Sequence, residues 1–293
     1  MKLAVNYSRP TAALWRSGPV AFDLFKCPAW PDLAAEAHAL GPVYVHFPLR
    51  VGAGIGDALD GETEQPANWR QVEELRALTD TPFVNVHLAP QPADCPDIDP
   101  CAADPVTANR VAEKMIHDMA AIVRRFGADR VIAENDPDNG ETLRAACLPG
   151  VVRQVVEEAG CGLLLDLAHV RISSAALGLS PVEYASLLPI ERLAEVHISG
   201  VQLLDARWLD LVRRAAPGND RLERFAGRLL DHLPMTAADW ELVTWAFARI
   251  HAAVWPRPRT VTLELGGVGA LWEAIGQEAQ LEQTIGRLRE LAW

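Results

Sequence analysis

Short apolar runs that end in a histidine or a carboxylate recur along this 293-residue chain, and they limit its fold more than any other feature. The clearest is Gly162-Leu163-Leu164-Leu165-Asp166, with His169 three residues beyond the aspartate. An unbroken apolar run of this length suits a strand buried on both faces, the kind a parallel sheet supplies. Seven further strand candidates cover residues 3–6, 20–25, 43–48, 83–88, 130–135, 193–198 and 259–265. Helical patterns follow most of them, over 32–39, 69–78, 104–126, 151–159, 181–188 and 281–291, with a longer, mostly helical connection across 205–250. Eight strands alternating with helices predict an α/β fold, a (β/α)8 TIM barrel formed by residues 1–293 as one domain. A doubly wound open sheet would favour a glycine-rich first strand-to-helix turn, which is missing here. Gly52, Gly54 and Gly56 have a phosphate-loop spacing, but the next helical pattern begins only at Trp69. A helix that distant cannot place its N-terminus under a phosphate, so the stretch is predicted to be a plain loop.

Charge narrows the function classes. Twenty-seven basic against 39 acidic residues give a net charge of −12, which argues against nucleic acid and acidic membranes as partners. The first residues, Met1-Lys2-Leu3-Ala4-Val5-Asn6, lack the apolar core of a signal peptide, and no stretch has the length of a membrane span. A cytoplasmic location is the expectation. Five cysteines, odd in number and without a Cys-x-x-Cys pair, form neither a disulfide framework nor a zinc ribbon. Cys95 and Cys101 share a Pro-rich loop and can approach one another, but two free thiols are the favoured reading.

In a barrel the C-terminal ends of the strands converge on one mouth. His46, His87, Glu134, Asp166, His197 and Glu264 each lie late in a predicted strand, and His169 can reach the same mouth from the start of the following loop. Three histidines and three carboxylates make a mixed nitrogen and oxygen site suited to iron, manganese or zinc. Carboxylates packed together repel, and a bound cation is the natural remedy. Asp231-His232, in the long connection after the seventh strand, can complete a multinuclear site. His38, His117 and His251 fall within helical patterns and read as surface or packing residues. Lys26 and Arg50, near the ends of the second and third strands, read as solvated.

The order His46, His87, Glu134-Asn135, Asp166-x-x-His169, His197, Asp231-His232, Glu264 resembles the xylose-isomerase-like TIM-barrel superfamily. Within it, Gly160-Cys161-Gly162-Leu163-Leu164-Leu165-Asp166, Glu195-Val196-His197-Ile198-Ser199-Gly200 and Thr262-Leu263-Glu264 are similar to the multinuclear non-haem iron-dependent oxidase family, the methanobactin-biosynthesis-oxidase-like enzymes. The resemblance implies that His46, His87, Glu134, Asp166, His197, His232 and Glu264 are metal ligands for two or three irons, with zinc or manganese as alternatives. It implies an O2-dependent oxidoreductase acting on a cysteine-containing peptide or related small substrate, often with a partner protein that captures the leader. His169 stands where many members carry asparagine. Two departures bear on the metal count. Leu230 occupies the aspartate position of the family's Asp-x-His pair, and Lys26-Cys27-Pro28 replaces an acidic Glu-Asn motif. Two other activities remain open at this point. One is a metal-dependent sugar (phosphate) isomerase or epimerase, in which Glu134, Asp166 and Glu264 serve proton transfer. The other is an endonuclease IV-like phosphodiesterase, which the acidic charge disfavours.

Overall fold

The computed structural model describes residues 1–18, 21–218 and 220–292. Eight parallel strands form the barrel wall: β1 (Lys2–Asn6), β2 (Leu24–Pro28), β3 (Val43–His46), β4 (Val84–His87), β5 (Val131–Glu134), β6 (Gly162–Asp166), β7 (Leu193–Ile198) and β8 (Thr260–Leu263). They pair in the order β3-β2-β1-β8-β7-β6-β5-β4. The predicted (β/α)8 barrel is the fold of this chain. Side chains alternate along each strand. Val196 and Ile198 of β7, or Val261 and Leu263 of β8, face the surrounding helices and join the main apolar core. Glu195 and His197, or Thr262 and Glu264, take the opposite, inward face.

The wall has one seam without a backbone ladder, between β3 and β4. Beyond His46 the chain enters a short strand, Leu49–Arg50, which pairs with His87. Below that point side chains stand in for the ladder. The Phe47 amide donates to Asn85 Oδ1 at 2.7 Å, and Asn85 Nδ2 donates back to the Phe47 carbonyl at 2.8 Å. The Val45 amide donates to Thr81 Oγ1 at 2.8 Å. Asn85 therefore performs the paired donation and acceptance of a facing peptide group.

Several boundaries differ from expectation. The second strand runs Leu24–Pro28 and not 20–25, so Lys26-Cys27-Pro28 lies inside it; Val20 falls outside the described residues. A helix at Arg9–Ser17 was not predicted. Ser8 caps it through a reciprocal box with Thr11, Pro10 fits its first turn, and Gly18 closes it at φ 74°. Residues 167–177 are helical too, beginning directly at the end of β6. The connection across 205–250 includes a strand, Leu229–Leu233, antiparallel to Gly200–Leu203. All five cysteines are free, four of them buried. No helix among the described residues is long and apolar enough to cross a membrane.

Gly52, Gly54 and Gly56 do form an anion nest, but its anion is the chain's own carboxylate. Their amides donate to the buried Asp118 at 2.9, 2.9 and 2.7 Å. All three have positive φ, at 115°, 76° and 71°, which orients successive amides to one point. Replacing Asp118 with alanine is expected to lower unfolding stability by about 3 kcal/mol, because charge-assisted bonds to backbone amides are lost together. Urea unfolding at unchanged m value measures it, and a loss below about 0.5 kcal/mol would show that water replaces the carboxylate.

Candidate metal centre

The inward residue at the mouth end of every strand is polar: Asn6, Lys26, His46, His87, Glu134, Asp166, His197 and, just past β8, Glu264. Asn6, Lys26, His46, His87, Glu134 and Glu264 line a cavity of about 550 Å³, together with His169, Asp231 and His232, while Asp166 and His197 lie behind that lining. A TIM-barrel interior is ordinarily filled with branched apolar side chains. Here that packing is confined to the lower layer, where Ala4, Leu24 and Tyr44 cluster.

Glu134 lies at the centre of the constellation, fully buried. Its Oε2 is 3.4 Å from both His46 Nε2 and His87 Nδ1. Its Oε1 is 3.7 Å from the Nδ1 atoms of His197 and His169. The His46 and His87 Nε2 atoms approach to 3.1 Å. Two groups of donors result, His46–His87–Glu134 and Glu134–Asp166–His197, each with its ligand atoms within 4.8 Å of one another. They share Glu134, one carboxylate oxygen toward each.

Whether these residues fit a metal is tested by their unmet bonding. Among the described residues, the buried side-chain atoms without a hydrogen-bond partner are His46 Nδ1, Glu134 Oε2, Asp166 Oδ2 and His197 Nδ1. All four belong to the two groups. An orphaned buried acceptor costs about 1–3 kcal/mol, so four in one place call for a shared electrophile. Burial holds the pKa values of His46 and His197 well below the usual imidazole range, with the Lys26 ammonium adding to the effect. Both rings are thus neutral, the form that ligates. Burial raises the Glu134 carboxyl, and a cation would reverse that preference.

A second layer orients the rings. His87 Nδ1 lies 3.2 Å from Asp136 Oδ1, and Thr142 donates to the other Asp136 oxygen. His197 Nε2 lies 2.9 Å from Glu195 Oε1, leaving Nδ1 directed at the cluster. A carboxylate on the far nitrogen of an imidazole is the arrangement that fixes a metal-binding tautomer. Burial raises the Glu195 carboxyl to about 7. Neither Asp136 nor Glu195 was singled out from sequence. The alternation Glu195-x-His197, which puts both on one strand face, was the available signal.

Asp166 does more than face the cluster. It caps the helix Leu167–Leu177, accepting from the His169 amide at 2.8 Å. His169 is therefore in the first turn of a helix and not in a loop. Its Nε2 lies 3.1 Å from Asp231 Oδ2. Burial opposes charge on His169, but Asp166, Asp231 and Glu134 together outweigh it and raise its pKa well above the usual range. Asn135 ties the strand ends, accepting from the Asp166 amide and donating to the Asp166 carbonyl.

The adjacency of Asp231 and His232 has a backbone cause. Neighbours in a strand point to opposite faces. Here the pairing of Gly200–Leu203 with Leu229–Leu233 slips by one residue between Gly200 and Gln202, and His232 adopts φ 58°. This bulge turns consecutive side chains to the same side. His232 Nε2 lies 3.7 Å from Glu264 Oε2 and 4.0 Å from Asp231 Oδ2. Leu230, at the position where aspartate was expected, is thereby not needed for Asp231 to reach the mouth. A left-handed backbone at a non-glycine residue is costly, and such strain concentrates at functional sites.

Two residues read as solvated are buried. Lys26 contacts Glu264 Oε1 from inside the mouth. Arg50 binds Glu64 and Asp94, pinning two loops beside the opening. His38, His117 and His251 are exposed on helices, away from the cavity.

The chain is 27% identical over 241 residues to a UPF0276 protein of Caulobacter vibrioides, covering 79% of this chain and 74% of the relative. It is 28% identical over 204 residues to a UPF0276 protein of Acaryochloris marina, covering 65% and 72%. Among solved structures, a sugar phosphate isomerase/epimerase from Parabacteroides distasonis superposes with a TM-score of 0.50 at 12% identity, over 99% of this chain and 98% of that one. That likeness concerns the barrel alone. Residues 63–216, which include His87, Glu134, Asp166, His169 and His197, match the family described as RiPP precursor modification enzyme MbnB/TglH/ChrH, and the chain belongs to that family.

Proposed function

We propose that this chain is an O2-dependent oxidase with two iron centres that modifies a cysteine-containing peptide. The observation that carries the reading is Glu134, whose two oxygens face two separate groups of donors, with an unpartnered buried atom on each of Glu134, His46, Asp166 and His197. His46 and His87 would hold one ion with Glu134; Asp166 and His197 would hold the other. Bound iron would supply one-electron chemistry with O2, which these side chains lack. Zinc or manganese can occupy the same donors, since nitrogen and oxygen ligands accept all three.

The protein's own part is positioning. Pro28, Trp30, Pro48, Val268 and Trp272 line the cavity and would exclude water from a bound thiol. Asn6 and Asn139, also in the lining, offer amide partners to a peptide backbone. Asp231 and His169, 3.1 Å apart, form a pair able to hold or pass a proton beside the second group. A partner that grips the leader would leave the modified segment free to enter this mouth. Membership of a peptide-modifying family supports a peptide over a sugar or DNA.

The test is metal analysis of protein purified anaerobically from iron-supplemented cells. Two irons per chain are expected, with a spectroscopic change that requires both O2 and a thiol peptide. Asp166→Ala and His197→Ala should each lower metal content while circular dichroism stays that of the folded barrel. Full occupancy in both variants would sink the ligand assignment. A single manganese or zinc indifferent to O2 would point instead to isomerase chemistry.

A further inference from the structure

We propose that the Lys26 ammonium is a built-in cation of this site, occupying the corner at Glu264 so that the chain takes two metal ions and no third. The inference rests on the two-centre reading above. Lys26 and Glu264 are both nearly fully buried and in direct contact, Nζ to Oε1. That same carboxylate oxygen is 3.0 Å from His197 Nδ1, and the other is 3.7 Å from His232 Nε2. Glu264 and His232 therefore have the makings of a third ligand group. Yet neither appears in the two groups whose donor atoms converge, and neither carries an orphaned buried atom. One orphaned atom, His197 Nδ1, faces this corner, but Glu264 itself has none, because the lysine contacts it.

Charge explains why a lysine is tolerated there. Among the described residues lining the cavity, Lys26 is the only lysine or arginine, whereas Glu62, Glu134, Asp136, Asp231 and Glu264 are all present. An ammonium is a compact point charge on a flexible stem with three donors, so it can do at one carboxylate what a metal would do. It cannot leave when metals are scarce. A divalent ion placed on Glu264 would meet that ammonium at contact distance, in a site where burial strengthens the repulsion. Lysine is thus both a substitute for a third ion and a barrier to it. The inward alternation of β2 fixes this outcome: Leu24, Lys26 and Pro28 share one face, and the middle one reaches the mouth beside β1 and β8.

Counting ions separates the possibilities. The wild-type chain, Lys26→Arg, Lys26→Gln and Lys26→Glu are loaded anaerobically with excess ferrous iron, desalted and analysed for iron per chain. Folding is checked by circular dichroism. Two ions are expected for wild type and for Lys26→Arg, which keeps the cation. Three are expected for Lys26→Glu, which removes the barrier and adds a carboxylate. Lys26→Gln, which removes the charge without adding a ligand, should bind a third ion more weakly and gain more thermal stability from added iron than wild type does. Three ions in wild type would overturn the inference, as would two in a folded Lys26→Glu protein together with no extra stabilisation of Lys26→Gln. Wild type with no bound iron would overturn the metal reading itself, and the inference with it.

Discussion

On the two-centre proposal, replacing Glu134 with glutamine is expected to empty both metal centres at once. The substitution keeps the volume and one carbonyl oxygen, so the barrel wall should survive. What disappears is the one charge that both groups share, with an oxygen 3.4 Å from His46 Nε2 on one side and another 3.7 Å from His197 Nδ1 on the other. Disturbing a residue that only orients a ligand typically weakens metal affinity by about 10–100-fold. Loss of a carboxylate that would serve both centres should exceed the upper end of that range at each, and turnover should fall with occupancy. His87→Ala, by contrast, touches one group and should leave one ion per chain. Iron analysis of the two variants side by side reads this difference. If Glu134→Gln retained one ion while His87→Ala lost both, the shared carboxylate would be misassigned and His87 would be the organising ligand. The apo barrel of Glu134→Gln is expected to be no less stable than the wild-type apo barrel, because a buried carboxylate without its cation is replaced by a neutral amide.

The same physics explains which parts of the site were legible in the sequence. His46, His87, Asp166 and His197 each end an apolar run, so a buried strand announced them. Lys26 escaped because the second strand was placed too early. Its apolar signal fades after Phe25, while the strand continues through Lys26, Cys27 and Pro28. The inward face there belongs to a polar site, so hydrophobicity stops marking the strand before the strand stops. Asp231 and His232 were legible as residues but not as geometry, since the bulge and the left-handed φ that bring them to one side leave no trace in composition. His169 was placed in a loop because nothing separates it from Asp166 but two apolar residues. In fact the aspartate that ends the strand also caps the helix. The glycines at 52, 54 and 56 had the chemistry of an anion nest, and their anion, Asp118, lay in a helix far along the chain.

Asn85→Leu should open the seam that no strand pairing protects. Asn85 is buried, and its amide serves the Phe47 N–H and C=O together, at 2.7 and 2.8 Å. Leucine has nearly the same shape and neither bond, so two backbone groups in the barrel wall lose their partners. At about 1–3 kcal/mol for each stranded group, the expected loss is roughly 2–6 kcal/mol, or about 3–10 °C in melting temperature for a chain of this size. Thr81→Val strands a single backbone group, the Val45 amide, and also loses the bond shared with the Thr79 hydroxyl; it should cost about half as much. The consequence reaches the site, because Asn85 Nδ2 also lies 3.1 Å from His46 Nε2. A wall free to move at β3 should loosen the His46–His87–Glu134 centre in Asn85→Leu, while Asp166 and His197, register partners on strands paired through their backbones, keep theirs. Melting curves with and without iron, paired with iron counts, measure both effects. An Asn85→Leu protein that melts within about 1 °C of wild type would mean that packing from outside holds the seam closed, and that the amide only positions His46.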